Sequence, residues 1–474
     1  MTLTVCMIVK NEEVMLENAL KSVQGADETV ICDTGSTDKT IEIAKKYTDK
    51  VFTDYTWNDN FAEARNHANS KATSDWILVI DADETLEEGG IAKIRKAIDK
   101  APKEWNSLDC IVNSTTQNNK FFSPRIYRNS SKVTWIGAIH NRISVSEKHR
   151  TDIEITFGYS PAHKNDPDRA LRILTKVVKE NPDCSREKFY LGREYYYRRE
   201  WKKAIAMYKR YLKVGVWASE RAEAFLKLAQ SYWYSQQGEL ARDACLQAIK
   251  INTHFREALE LMAEMTGPIN RKRWIEFAVG ADNSNILFDR TPKYKGSEYY
   301  DRLFEKNTDM SRYDAIYKKI GKMVGDGDVL DIGCGLAELS TFLSPEQYSG
   351  FDFSEETITK IDYLRLDTWV DDARTFDCSS YGNFEYFVCT KVLEHADDYA
   401  IITRIPSGQK FIFSVPSFKD PSHVRVFTEK LVRSRYRGLV DIKTITRFNW
   451  IDKKWVEGGK ETPSYILLVE GTKI

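Results

Sequence analysis

Short, almost unbroken apolar runs alternate with amphipathic stretches over the first third of the chain. Residues 3–9, 28–32 and 76–80 read as buried strands, and residues 13–23 and 37–47 carry helical spacing between them. This alternation predicts a parallel sheet with crossover helices over residues 1–165. The texture then changes. Residues 166–280 hold long amphipathic patterns with almost no strand signal. Residues 281–474 return to alternation, with strands expected at 328–332, 348–351, 385–389, 410–415 and 465–469. A polar stretch at 283–296, broken by Pro292 and Gly296, is the expected linker. The expected fold class is multidomain: α/β over 1–165, all-α over 166–280, and α/β over 281–474.

The middle segment repeats. Leu191, Gly192, Tyr195, Ala204, Tyr208 and Tyr211 fit the large, small and aromatic positions of a tetratricopeptide unit. Leu228, Ala229, Tyr232, Ala241, Cys245 and Ala248 fall on the same template 37 residues later. Ala170, Leu174, Val177 and Pro182 fit the second half of an earlier unit. Small residues let two helices approach closely while aromatics fill the groove between them, and a lone helix pair needs neighbours to bury its apolar face. A plain helical bundle is the competing reading.

Composition narrows the class. A chain of 474 residues can bury several cores, and 42% hydrophobic with 12% aromatic content argues against disorder. Seventy basic residues against seventy acidic exclude a uniformly basic nucleic-acid coat and an acidic tail protein. The balance is uneven along the chain. Residues 166–280 hold 22 basic and 15 acidic side chains, against 21 and 24 before them and 27 and 31 after them. Ten basic residues fall within 186–213, interleaved with Tyr195, Tyr196, Tyr197 and Trp201. A nucleic-acid or acidic-acceptor groove is one reading of that stretch; solvated lysines beside core aromatics is the favoured one. The eight cysteines include no Cys-x-x-Cys pair, which argues for a reduced compartment. The N-terminus lacks the parts of a secretion signal, and no apolar run is long enough to span a bilayer. A soluble cytoplasmic protein is expected.

Four pieces of the N-terminal segment carry chemistry. Lys10-Asn11-Glu12-Glu13 ends the first strand, and Asp33-Thr34-Gly35-Ser36-Thr37-Asp38 follows the second. Ligands of open α/β sheets bind at such carboxyl ends. Asp33 suits a base or ribose contact. The strand at 76–80 runs into Asp81-Ala82-Asp83-Glu84. In an extended continuation, residues i and i+2 point the same way, so Asp81 and Asp83 would form a hard-oxygen site for Mg²⁺ or Mn²⁺. Phe61-Ala62-Glu63-Ala64-Arg65-Asn66 places Arg65 on a helix, where its planar fork suits a phosphate.

In this order and spacing the four pieces resemble the family-2 glycosyltransferases of the GT-A fold, over roughly residues 3–145. More narrowly the chain is similar to the branch that joins this domain to tetratricopeptide repeats, which includes the peptide S-glycosyltransferase of sublancin biosynthesis. The resemblance implies a nucleotide-diphosphate sugar donor, most often a UDP-sugar, a divalent metal, and inversion at the sugar carbon. Asn11, Glu13 and Asp33 would then serve the nucleotide, Arg65 the diphosphate, and Asp81 and Asp83 the metal. Two departures stand out. Asp33 is followed by Thr34 where two adjacent acids are commonest. In Trp135-Ile136-Gly137-Ala138-Ile139-His140-Asn141, Asn141 stands where Glu often follows the His. Glu84 and Asp59 are the replacement candidates for the base, and His140 a candidate for the metal or diphosphate.

In the C-terminal segment, Asp331-Ile332-Gly333-Cys334-Gly335 ends a strand in a glycine turn, where missing Cβ atoms let a cofactor approach the backbone. Asp352 follows 17 residues after Gly335, where a ribose-binding acid is expected. Asp371-Asp372-Ala373 suits an adenine amino group, and Val392-Leu393-Glu394-His395 follows a buried strand. This order resembles the class I methyltransferases that use S-adenosylmethionine, over roughly residues 296–474. The resemblance implies that Asp331, Gly333 and Gly335 face the methionine end, Asp352 the ribose and Asp372 the adenine, with His395 a substrate-side base. An NAD site is the runner-up, disfavoured because Glu338 replaces the third glycine.

The expected function is a bifunctional enzyme that transfers a sugar from a nucleotide donor to a protein, peptide or glycan acceptor and methylates a hydroxyl of that sugar or a related group. The expected partners are the nucleotide sugar, an acceptor presented through the repeats, and a second copy of the chain. A repeat scaffold with one active catalytic domain, and a nucleic-acid acceptor, are the alternatives.

Overall fold

A strand that is apolar on both faces needs a sheet covered on both sides. The central strands here meet that description, with Leu3–Val9, Trp76–Val79 and Tyr386–Thr390 buried almost throughout. The computed structural model describes all residues except 115–118, 146, 148, 159, 162–165, 282–293, 307–312 and 458–463. It is a multidomain α/β chain that divides into two compact units, Met1–Gly215 and Val216–Ile474.

The strands of the first unit are β1 (Leu3–Val9), β2 (Glu28–Asp33), β3 (Val51–Phe52), β4 (Trp76–Val79), β5 (Glu84–Leu86), β6 (Ser107–Ser114), β7 (Asn119–Arg128), β8 (Trp135–Ile136), β9 (Arg142–Ile143) and β10 (Arg150–Phe157). Eight of them form one sheet in the order β3-β2-β1-β4-β7-β6-β10-β5, and β8 pairs with β9. Strands β3, β2, β1 and β4 are parallel, as the alternating pattern predicts. The remainder is mixed: β7 runs antiparallel to both β4 and β6, and β5 antiparallel to β10. Four residues separate β6 from β7, too few for a parallel crossover.

The second unit holds β11 (Val329–Ile332), β12 (Tyr348–Asp352), β13 (Asp367–Val370), β14 (Tyr386–Thr390), β15 (Lys410–Pro416), β16 (Val440–Asn449), β17 (Lys454–Val456) and β18 (Tyr465–Lys473). Their order is β13-β12-β11-β14-β15-β18-β16-β17. The first five are parallel and β18 is antiparallel to β15. The order reverses between β11 and β14, which opens a crevice at the carboxyl ends of these strands.

Residues 169–279 are helical, as their periodicity predicts. Gly192 admits the ring of Tyr208: a Cβ there would lie 2.9 Å from the ring edge. Ala229, Ala241, Cys245 and Ala248 are buried in the following helix pair. The boundary between the units falls inside this stretch, at 215/216, rather than at its ends. The helices Arg256–Met265 and Pro268–Val279 belong with the C-terminal sheet because ionic and polar contacts tie them to it. Arg256 donates to both carboxylate oxygens of Asp397 (2.5 and 2.8 Å), and Arg271 donates to the Arg435 carbonyl (2.6 Å). Most of the expected linker, 283–293, lies outside the described residues. All eight cysteines are free, and no described helix is long and apolar enough to cross a membrane.

Candidate functional sites

The first site forms where β1, β2 and β4 end. The helix Phe61–Asn69 is started by Asn60, whose side chain accepts from the Glu63 N–H (3.2 Å). Its sheet-facing residues are Ala62, Ala64 and Ala68, small enough to bring the backbone close and to lay Arg65 against the end of β4. Arg65 Nη2 donates to both carboxylate oxygens of Asp81 (2.8 and 3.0 Å), and the guanidinium lies 4.9 Å over the Trp135 ring. Its Nε and Nη1 are buried and make no hydrogen bond among the described residues.

Asp81 to Glu84 form a turn, closed by the Glu84 N–H on the Asp81 carbonyl (3.0 Å), and not the extended continuation that alternation predicts. The two aspartates therefore face different partners. Asp81 meets Arg65, while Asp83 Oδ2 accepts from the Ser160 N–H (3.3 Å). The Ser160 hydroxyl donates to Glu12 (2.6 Å), so one serine joins Glu12 to Asp83. Burial pushes the Glu12 carboxyl up to about 7, reinforced by the charges of Asp83 and Asp81. Glu12, Arg65, Asp81 and Asp83 line one cavity of about 370 Å³ with Asn11, Thr34, Trp57, Phe61 and Arg169.

The other residues singled out in this half stand elsewhere. Glu84 is 1% exposed and ion-paired to Arg125 (2.6 Å), and it accepts from the Asp81 N–H (2.9 Å). It braces the turn from beneath, out of reach of an acceptor. Asp59 is held by Arg172 through two 3.0 Å bonds. Asn11 accepts from the Thr37 N–H (2.8 Å), and the exposed Glu13 accepts from the Lys39 N–H (3.2 Å), so both tie the loop after β1 to the loop after β2. Asp33 Oδ2 accepts from the N–H groups of Gly35 and Ser36 (2.9 Å each), while its buried Oδ1 has no hydrogen-bond partner among the described residues. The His140 ring stacks on Tyr190 at 3.9 Å, and the structure does not group it with Asp81 and Asp83.

The second site occupies the crevice above β11, β12 and β14, a cavity of about 360 Å³. Gly333 and Gly335 both take left-handed backbone angles (φ +70° and +54°), and a Cβ on Gly333 would fall 2.6 Å from Val392. Asp331 is buried beneath this turn. One oxygen accepts from the Tyr348 hydroxyl (3.1 Å) and the other has no hydrogen-bond partner among the described residues. Burial pushes its carboxyl up to about 7. Asp352 accepts from the N–H groups of Gly335 (3.1 Å) and Ser354 (3.0 Å), which fixes the glycine turn to the end of β12. Asp372 is engaged by Arg374, and Asp371 accepts from the Tyr381 hydroxyl. His395 lines the same cavity with Glu394 and His423. Burial pulls the His395 imidazole down to about 4 and pushes the Glu394 carboxyl up to about 8.

Residues 4–158 match the Glycosyl transferase family 2 model. The match spans β1 to β10 and includes every residue of the first cavity except Asp166 and Arg169. Two curated relatives extend the comparison. The SPbeta prophage-derived glycosyltransferase SunS of Bacillus subtilis is 28% identical over 212 residues, covering 41% of this chain and 49% of SunS. A TPR repeat-containing protein of Synechococcus elongatus is 43% identical over 99 residues, covering 20% of this chain and 24% of that protein. The chain thus spans half or less of the length of these relatives. Among solved structures, an S-adenosylmethionine-dependent methyltransferase of Thermotoga maritima overlaps 37% of this chain and 95% of its own, at 12% identity and a TM-score of 0.28.

No local motif marks Glu12, which lies between Asn11 and Glu13. Strand alternation sets Asn11 and Glu13 together on one side. The left-handed backbone of Asn11 (φ 56°) breaks that alternation, so Glu12 joins Asn11 on the cavity wall while Glu13 is exposed. Ser160 and Arg125 carry no local motif, since their partners lie 148 and 41 residues away. His423 was missed for the same reason.

Proposed function

We propose that the chain is a bifunctional transferase: the first site moves a sugar from a nucleotide-diphosphate donor to a protein, peptide or glycan acceptor, and the second methylates a hydroxyl. The observation that carries this reading is the pair of strand-end cavities, each lined by carboxylates from different strands. Asp33 lies just behind Thr34 of the first cavity's wall, and its oxygen without a partner among the described residues suits a nucleoside hydroxyl or imino group, while Nε and Nη1 of Arg65, on the wall itself, suit the diphosphate. Asp81 is held by Arg65, and Glu12, Asp81 and Asp83 do not converge at metal-ligand distance, so a divalent cation would rest on Asp83 and the donor's own oxygens; when bound, it would neutralise charge on the departing diphosphate.

Glu12 takes the base role that Glu84 and Asp59, both locked in ion pairs, are poorly placed to fill. The acceptor heteroatom gives its proton to the Glu12 carboxylate and attacks the anomeric carbon. The bond to the diphosphate oxygen breaks with inversion, and the nucleoside diphosphate leaves. Because the Glu12 carboxyl titrates near 7, kcat/KM for sugar transfer is expected to rise with pH through that value. Glu12→Gln is expected to lower kcat by about 10²–10⁴-fold and to abolish that limb of the profile. A profile unchanged in Glu12→Gln would remove Glu12 from the role.

In the second site, S-adenosylmethionine fits the observed donors and acceptors. The buried, unpartnered oxygen of Asp331 faces a demand for a cation or donor, which the cofactor's methionine end supplies. The glycine turn leaves room for its backbone approach. The bound cofactor brings an activated methyl group, so the chain's task is alignment and acceptor deprotonation. The helices between the sites present the acceptor in this reading. Part of their positive charge is paired locally, Arg198 with Asp168 and Lys203 with Glu200, and Arg193 lies over Tyr190 and Tyr197, so some of the interleaved aromatics pack within the helices instead of offering stacking faces to bases. The test is incubation of the full chain with a panel of nucleotide sugars and labelled S-adenosylmethionine in a host lysate. Mass analysis is expected to find products carrying a hexose-class mass increment, a methyl increment, or both. Absence of both increments with every donor would overturn the reading.

A further inference from the structure

Glu394 and His395 leave the end of β14, and His423 lies on the segment after β15. Each offers one ligand atom, and these three atoms lie within 4.8 Å of one another. Among the described residues, this is the one such group of histidine, cysteine or carboxylate side chains.

Both imidazoles are oriented by the backbone. His395 Nδ1 lies 3.2 Å from the Ser422 carbonyl and His423 Nδ1 lies 3.2 Å from the Phe418 carbonyl. A carbonyl can only accept, so each Nδ1 carries the hydrogen and each Nε2 keeps its lone pair. This is how protein histidines are prepared for a metal, with the remote nitrogen bound to a carbonyl. The Ser422 carbonyl is itself placed by Asp420, which accepts from the Ser422 N–H (2.9 Å) and hydroxyl (2.6 Å).

The carboxylate supplies an independent observation. Glu394 is 1% exposed, and its Oε2 has no hydrogen-bond partner among the described residues. Its other oxygen stands 3.9 Å from His395 Nε2, beyond hydrogen-bond range. A buried carboxylate with nothing to pair is costly unless something else occupies the space beside it. Ligand atoms about 2.0–2.2 Å from a shared ion sit roughly 3–4 Å apart; the 3.9 Å pair lies at the upper end of that range, and the 4.8 Å bound on the trio asks the side chains to close slightly around an ion.

We propose that Glu394, His395 and His423 form a binding site for a divalent first-row transition-metal ion, facing the methyl-transfer cavity. Two imidazoles and one carboxylate select ions of the manganese-to-zinc series over calcium or magnesium. Three protein ligands leave coordination positions open, and the cavity wall on which all three lie directs those positions at the acceptor. The site then takes a hydroxyl oxygen of the acceptor as a further ligand. This last point rests on the methyltransferase reading; the metal site does not.

The test uses the full chain stripped with a chelator and titrated with Co²⁺, whose visible ligand-field absorption reports nitrogen ligation. Wild type is expected to develop the band, and Asp83→Asn is expected to retain it. His423→Ala and His423→Gln are expected to lose it, and Glu394→Gln to weaken Co²⁺ binding at least tenfold. Thermal transitions are recorded for each variant. Absence of the band in wild type would overturn the site, as would its persistence in His423→Ala, or its loss only in variants that have also lost their thermal transition. S-adenosylhomocysteine binding is measured separately by calorimetry on the wild-type chain. A Co²⁺ band without such binding would remove the methyltransferase reading and leave the metal site standing.

Discussion

Asp83→Ala is expected to lower sugar transfer by at least about 10³-fold, a loss of roughly 4 kcal/mol of transition-state stabilisation. The residue combines three properties that few side chains in the molecule share. It is 7% exposed yet lines the first cavity, it is linked to Glu12 through Ser160, and its charge helps to raise the Glu12 carboxyl. Removing the carboxylate takes away the proposed cation ligand. In the cation-free chain it also removes one of the charges that raise the Glu12 carboxyl, while burial, the larger cause, remains. Methyl transfer is expected to continue, because the second site lies in the other compact unit. The measurement is product formation from both donors by the same preparation. Sugar transfer within tenfold of wild type would remove Asp83 from the machinery, and parallel loss of both activities in a folded variant would count against separable sites.

Asp331→Asn should produce two effects of opposite sign. Affinity for S-adenosylhomocysteine and S-adenosylmethionine should fall at least about 100-fold, since the unpartnered oxygen that would meet the cofactor's methionine end loses its charge. Stability without cofactor should rise. The Asp331 carboxyl titrates at about 7 in the fold because it is buried, well above its ordinary range. A raised carboxyl binds its proton more tightly folded than unfolded. Its cost is therefore absent below about pH 4, grows as pH rises, and is complete above about pH 7. The neutral amide removes that cost and still offers an oxygen to the Tyr348 hydroxyl. Urea unfolding at pH 8 is expected to show the variant more stable by up to about 4 kcal/mol, with the difference vanishing near pH 4. A variant that bound cofactor normally, or that was destabilised at pH 8, would refute this assignment.

The opposition between those effects has a plain physical source. A carboxylate held ready for a ligand is unsatisfied without it. Asp33, Asp331 and Glu394 each keep a buried oxygen with no hydrogen-bond partner among the described residues, and each sits near the carboxyl end of a parallel strand. Their positions follow from local spacing and are legible along the chain. Whether a given carboxylate is free or already paired is not. Glu84 is one residue from Asp83 and equally acidic, but Arg125, 41 residues away, has claimed it. Asp59 has the same fate with Arg172, 113 residues away.

The sheet tells a similar story. Strands buried on both faces announce themselves as apolar runs, and β1, β4, β11, β12, β14 and β15 all fall within a residue or two of where those runs lie. The antiparallel strands carry weaker signals. β7 contains Pro124 and meets β6 across a bulge, and β16 mixes polar with apolar positions along an exposed, bulged pairing. Their direction also depends on connection length and on which edge remains open.

Apolar runs, glycine turns and acids at strand ends are properties of a few consecutive residues, and backbone geometry alone converts them into strands, cradles and loops. They place Asn11, Arg65, Asp81 and Asp83 on the first cavity and Gly333, Gly335, Asp352, Asp372 and His395 on the second, whereas Asp33 and Asp331 stand beside the walls. Partner choice among charged side chains is settled at long range. It made Arg65 the neighbour of Asp81, buried Glu84 on Arg125, set Glu12 beside a left-handed Asn11 on the cavity wall, and brought His423 to Glu394 and His395. Desolvation and charge pairing act over a few ångströms of space regardless of chain separation, so the roles of these residues exist only once the chain has folded.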